Sequence, residues 1–285
     1  TEFNQLVAEI QRVATSTTYN GLNLLDGTRT AANFQVGAAG NQRVQMEAIA
    51  SVQTGDIGTF TGVTRTNIAG GTGATSNGNL GITSTGVNAT LANVENSARG
   101  IVAALNASGL GFTATADATS VAAGTGALTA NNTAGTATLT LNGVAITLNQ
   151  STVLATNMAT ATDAINAQSA VTGVVATNTG AGVSLAAAAG DNIITSFALG
   201  TATNTALADF GLAAAANTHG TFDYTFENAA ASGTLALTTA ATDSSAIGTT
   251  GNAISTVGVD TANGATQAIA AIDRALANVD ATRAG

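Results

Sequence analysis

The 285 residues include no cysteine, no proline, no tryptophan and no lysine. Without cysteine there is no disulfide and no thiolate metal site. Average usage would place about 14 prolines in a chain of this length, and their absence removes slow X-Pro isomerisation from folding. Both absences suit a protein that travels unfolded and folds on arrival. Aromatic residues make up only 4%, so the core must be built from Ala, Val, Leu, Ile and Thr. No apolar run approaches the roughly 20 residues of a membrane helix, and the mean hydropathy of +0.29 reflects scattered Ala and Val. Basic residues are few, 7 against 16 acidic ones for a net charge of -9, and none lies between residues 100 and 264. That stretch would repel a phosphate backbone and lacks the basic cluster that holds anionic lipid, which argues against nucleic-acid and membrane partners. No secretory leader pattern is visible. The chain has no initiator Met and begins inside a helical pattern, so it is expected to be a fragment.

Residues for chemistry are equally sparse. His219 is the only histidine. It has no triad or zinc partners at motif spacing and reads as a solvated loop residue. The Asp and Glu residues are dispersed, so no general acid–base pair can be named. Gly70-Gly71-Thr72-Gly73 lacks the Lys-Ser/Thr of a phosphate loop, and the Asp and Asn residues follow no calcium-loop pattern. No catalytic, cofactor-binding or metal-ligating residue emerges, and the chain is expected not to be an enzyme.

What is present divides the chain in three. Phe3, Leu6, Val7, Ile10 and Val13 recur with helical period, and Tyr19-Asn20-Gly21 then turns the chain. Two short alternating runs, Asn33–Val36 and Val44–Glu47, flank the glycine-rich residues 37–42 and read as a hairpin. At the other end Ile269, Ile272, Leu276 and Val279 form a second helical stripe, with Asn263 or Thr261 available as its cap. The economical arrangement packs the two end stripes against each other as one domain of residues 1–58 and 253–285. Satisfied in that way, they would leave the chain largely monomeric. Residues 59–252 are then an insertion with a core of its own, divisible into about 59–130 and 131–252. The insertion carries an imperfect repeat. Ala104-Leu105-Asn106-Ala107 followed by Gly111–Thr115 returns as Ala164-Ile165-Asn166-Ala167 followed by Gly173–Thr177, each a helix and then a strand. Thr138–Leu141 and Val144–Leu148 flank Asn142-Gly143, a strong hairpin signal. Further strand pairs are expected in 174–177 with 183–186 and in 222–226 with 234–238. The fold class is therefore multidomain α+β, with a helical unit bearing a hairpin and a strand-rich insertion.

Several of these segments resemble bacterial flagellin. Glu9-Ile10-Gln11-Arg12-Val13, Tyr19-Asn20-Gly21, Leu24-Leu25-Asp26-Gly27 and Phe34-Gln35-Val36-Gly37 are similar to that family's amino-terminal rod segment. Residues Ala268–Asp280 are similar to its carboxy-terminal rod helix. The Asn-Gly hairpin, the Ala-Ile-Asn helix and Gly190-Asp191-Asn192-Ile193 are similar to the family's insertion motif, whereas the first copy shows neither a clear hairpin nor the Gly-Asp-Asn-Ile run. The resemblance implies an elongated rod made by both ends, outer domains between them, and missing extreme terminal helices. It implies a structural filament subunit that self-assembles for motility on the outside of the cell. Its partners would be other flagellin subunits, an export chaperone and the filament cap. Glu9 and Arg12 would lie on a rod helix as contacts to a neighbouring subunit or to a host Toll-like receptor. A hook-associated junction protein or a surface homologue that binds glycan or host molecules is the alternative.

Overall fold

A computed structural model describes residues 2–36, 42–46, 48–71, 77–239, 241–260 and 262–284. In chain order its first elements are α1 (Glu2–Ser16), β1 (Thr18–Tyr19), β2 (Leu22–Asn23), β3 (Ala32–Gln35) and β4 (Arg43–Met46). Then come β5 (Phe60–Ala69), β6 (Gly78–Thr85), β7 (Val87–Val94), α2 (Ala98–Ala107), β8 (Phe112–Ala116) and β9 (Thr119–Val121). Next are β10 (Gly135–Leu141), β11 (Val144–Gln150), α3 (Leu154–Asn166), α4 (Ser169–Thr172), β12 (Val175–Asn178) and β13 (Val183–Ala187). The chain ends with β14 (Ile193–Leu199), β15 (Asn217–Thr218), β16 (Thr221–Glu227), β17 (Ser232–Thr239), β18 (Asp243–Ala246), β19 (Gly248–Thr250) and α5 (Ala262–Ala284). This is a strand-rich α+β protein. It divides into a unit of residues 1–61 and 249–285 and a unit of residues 62–248.

The first unit holds both end helices. Its core gathers Ile57, Ile254 and Val257 with Ala268, Ala271 and Ala275 of α5, and Phe3 and Val7 of α1 pack against it. The helices thus share a wedge of loop residues and do not mesh their large side chains. Gln11 fixes the buried face of α1, its Oε1 accepting from the Thr54 backbone N–H at 2.9 Å and the Thr54 hydroxyl at 2.8 Å. β3 pairs antiparallel with β4, Phe34 opposite Val44, giving the expected hairpin strands, while residues 37–41 of its turn lie outside the described residues. α5 is described from Ala262, so Asn263 lies within it, and Thr261 lies outside the described residues.

The second unit contains two cores that share one topology. In the first, β7-β6-β17-β18 pair in that order, and β5-β16-β8 form the other layer. Helix α2 contributes Ile101 and Leu105 to this core beside Phe222, Tyr224 and Phe226. In the second, β11-β10-β14-β15 pair in order and β9-β13-β12 form the other layer, with Met158, Ala161 and Ile165 of α3 inside. Element for element, β5-β6-β7-α2-β8-β16-β17-β18 corresponds to β9-β10-β11-α3-β12-β13-β14-β15. Every pairing within the two sets is antiparallel. The second module is inserted whole between β8 and β16 of the first. The cores therefore do not divide near residue 130, because β16 and β17 return the chain to the first core. Nor do 222–226 and 234–238 pair with each other. β16 pairs with β5 and β8, and β17 pairs with β6 and β18.

The repeat has a chemical signature. Asn106 at the end of α2 donates to the Ala114 carbonyl at 2.9 Å and accepts from its N–H at 2.7 Å. Asn166 at the end of α3 does the same to Ala176, at 3.0 and 2.8 Å. An amide side chain thus adds one rung to a strand edge that would otherwise leave both groups unpaired. The hairpin missing from the first copy by sequence is present as β6 and β7, with Ser84 opposite Val87 across Thr85-Gly86. In the second copy Asn142 and Gly143 have φ of 49° and 84°, the two positive values of a type I′ turn, and join Leu141 to Val144.

Candidate assembly surface

The surface with most to explain lies on the two end helices. On α1, Leu6 is 65% exposed and Ile10 and Val13 remain open, while the neighbouring face of Phe3, Val7 and Ala14 turns inward. On α5, Ile269 is 62% and Leu276 57% exposed, with Ile272 and Val279 also open, while Ala268, Ala271 and Ala275 are buried. Of the stripe expected on α1, Phe3 and Val7 turn inward while Leu6, Ile10 and Val13 face out, and the stripe expected on α5 is outward throughout, its alanine face taking its place in the core. Alanine permits close approach over a thin wedge, so the small face fits the interior. The spacing of the outward residues, Leu6-Ile10-Val13 and Ile269-Ile272-Leu276-Val279, alternates three and four. That is the seam pattern by which one helix packs along another. A leucine at such exposure has about 1–2 kcal/mol still to gain from burial.

Glu9 and Arg12 sit on α1 next to this stripe. The Arg12 Nε donates to Glu9 Oε2 at 2.8 Å, and both side chains remain more than half exposed. The Arg12 hydrogen bond holds the Glu9 carboxyl below the usual carboxylate range. In full solvent such a pair contributes little to stability, so its position at the rim of an apolar stripe is the informative feature.

Elsewhere the chemistry stays sparse. Among the described residues no three His, Cys, Asp or Glu side chains converge as for a metal ion. His219 follows β15, is half-buried rather than solvated, and its Nδ1 finds no partner among the described residues. A polar cleft of about 280 Å³ in the second unit is lined by Glu95, Arg99, Asn142, Asp191 and Asn192. The one hydroxyl of a serine there, Ser97, caps α2 by accepting from the Gly100 N–H at 3.1 Å. Residues 72–73 of the glycine run lie outside the described residues. Two buried carboxylates, Asp209 and Asp243, were not found by sequence. Asp209 accepts from the backbone N–H groups of Thr129 and Ala206, both at 2.7 Å, and has no basic partner among the described residues. Asp243 accepts from Arg65 and from Tyr224. Neither shows a motif, because their partners lie up to 178 residues away. No described helix is long and apolar enough to cross a membrane.

The chain matches no protein-family profile and no curated protein sequence. Among solved structures it aligns with FliC from Burkholderia pseudomallei at 19% identity, over 99% of this chain and 79% of that one, with a TM-score of 0.34. A superposition that loose assigns neither the fold nor a role to this chain.

Proposed function

We propose that the chain is a structural subunit of a bacterial flagellar filament, serving motility by self-assembly outside the cell and catalysing no reaction. The observation that carries this reading is the pair of outward, heptad-spaced stripes on α1 and α5. A residue set that repeats every three and four positions and faces solvent is built to meet another helix. The occupant is a second copy of the chain, because the stripes fall within the segments that resemble the flagellin rod, and rod surfaces of a polymer meet copies of themselves. On this reading residues 1–58 and 253–285 make the rod and residues 59–252 the outer part. An export chaperone and a filament cap handle the subunit, and Glu9 and Arg12 contact a neighbouring subunit or a Toll-like receptor.

The test is pelleting in polymerising salt of the protein carrying this chain together with the family's terminal helices. Wild type should sediment as filaments visible by electron microscopy. Ile269→Asp and Leu276→Asp should stay in the supernatant with unchanged circular dichroism. Filaments from both variants, or none from wild type, would sink the proposal.

A further inference from the structure

The two modules of the second unit have separate apolar cores, and among the described residues no buried cluster bridges them. Polar groups and close backbone contacts join them. Asn192 is 6% exposed. Its Nδ2 donates to the Asn96 carbonyl at 2.7 Å and the Gly71 carbonyl at 3.3 Å, both in the first module. Its Oδ1 accepts from the Gly220 N–H at 3.1 Å, in the connecting segment just before β16 that leads back to the first module. Next to it, Asp191 Oδ1 accepts from Arg99 Nε at 2.6 Å, and Arg99 also grips Glu95 at 3.0 Å. Gly190 and Gly220 complete the contact. A Cβ on Gly220 would meet the Gly190 carbonyl at 2.6 Å and Thr119 Oγ1 at 2.8 Å.

The module correspondence shows that this is not simply how the fold closes. The matching connection of the first module, between β16 and β17, uses Asn228, whose Nδ2 donates to Leu110 at 3.1 Å within its own module. In the second module that internal role falls to Asn142, whose Nδ2 donates to the Thr172 and Asn192 carbonyls at 2.8 and 2.6 Å. The Asn192 side chain is thereby released to reach across.

We propose that Gly190-Asp191-Asn192, received by Arg99 and by the carbonyls of Asn96 and Gly71, is a latch that fixes the angle between the two modules. Without it the second module would swing on its two connecting segments, residues 117–118 and 219–220. The latch borders the open polar cleft, so water can replace its hydrogen bonds once it parts. Its opening is then a local event that leaves both cores folded.

Hydrogen–deuterium exchange on the intact chain tests this. The Arg99 N–H, held by the Gly190 carbonyl, and the Gly70 N–H, held by the Gly220 carbonyl, report on the joint. Amides of β10 and β16 report on the cores. Asn192→Ala and Arg99→Ala should each speed exchange at the joint by about tenfold or more with core exchange unchanged. Gly220→Ala should act in the same direction by prying the contact apart. Small-angle scattering should show a broader distance distribution for these variants. Unchanged exchange at the joint in both Asn192→Ala and Arg99→Ala would overturn the latch. So would equal acceleration in both cores, because Asn192 would then be a general stability residue. Should Asn192→Ala fail to fold, the solvent-facing Arg99→Ala decides the matter alone.

Discussion

Replacing Asp243 with alanine removes the acceptor shared by the guanidinium of Arg65 and the phenol of Tyr224, which hydrogen-bonds it at 2.5 Å. Tyr224 is 2% exposed and has no water to turn to, so its hydroxyl would be left without an acceptor in the first core. That orphaned group, together with the lost charge-assisted bond, should cost about 2–4 kcal/mol. Arg65 adds little to the cost, since its side chain is 40% exposed and can rehydrate. Tyr224→Phe alone should cost about 1–2 kcal/mol. The double variant should be less destabilised than the two single costs added together, because Phe leaves nothing to orphan. Denaturant unfolding of the four proteins measures the cycle. A cost for Asp243→Ala below about 0.5 kcal/mol, the ordinary range of surface substitutions, or strict additivity, would refute the reasoning.

The same cluster fixes the sign of two pH effects. Burial alone would raise the Asp243 carboxyl, but the Arg65 and Tyr224 hydrogen bonds outweigh it and hold the group below the usual range. Its folded form therefore binds a proton less readily than the unfolded chain. Its contribution is complete above the unfolded value of about 3.9 and is lost as pH falls from there through the folded value. Tyr224 is shifted upward, first by burial and then by the neighbouring carboxylate. Above about pH 10 the unfolded chain releases this proton and the folded chain does not, so stability should fall. Of the two tyrosines, Tyr19 is 72% exposed. The phenolate absorbance of Tyr224 should therefore appear only as the fold opens. Its appearance in the intact fold would contradict the buried bond.

Two further outcomes follow from the repeated modules. Asn106→Ala and Asn166→Ala should each cost about 1–3 kcal/mol, since each strands the N–H and carbonyl of one strand residue; a marked inequality in denaturation midpoint would break the correspondence. Gly143→Ala should cost about 1–2 kcal/mol because an alanine must adopt the left-handed φ of the Asn-Gly turn, and a thermal melt unaffected by the change would argue against that turn geometry.

The helices, the β3–β4 strands and the Asn-Gly hairpin were legible because each rests on local spacing or on a residue with one conformational use. The direction of the end stripes was not. On α1, Phe3 and Val7 repeat at the same period as Leu6 and Ile10, and periodicity alone cannot say which of two adjacent stripes is inside. Reading by size put all the large residues inward, whereas the interior takes Phe3 and Val7 from α1 but only Ala268, Ala271 and Ala275 from α5, where the loop residues Ile57, Ile254 and Val257 supply the bulk. The β6–β7 hairpin was hidden because Thr85-Gly86 is a weaker turn signal than Asn-Gly. The Arg65–Asp243–Tyr224 cluster and the Asn192 contacts were out of reach, since their partners meet only after the second module has been threaded into the first.

That threading has a physical explanation in the pairing of β8 with β16. Ala116 stands opposite Phe222, and the Asp117 N–H donates to the Thr221 carbonyl at 2.8 Å, so the chain leaves the first module and returns to it at adjacent points. In the second module the equivalent strands, β12 and β13, are joined by a tight turn in which the Thr179 N–H donates to the Gly182 carbonyl at 2.8 Å. One fold thus tolerates either a four-residue turn or the whole of residues 117–220 at one position. Were the long insertion a flexible loop, closing it would cost about 3 kcal/mol more than the short turn. A folded insertion whose own ends are adjacent avoids most of that cost, because its core has already brought them together. The host then needs only the β8–β16 register, which Phe222, Tyr224 and Phe226 secure by burial in the first core. What the host does not supply is an orientation for its guest, and the contacts of Asp191 and Asn192 are the ones that do.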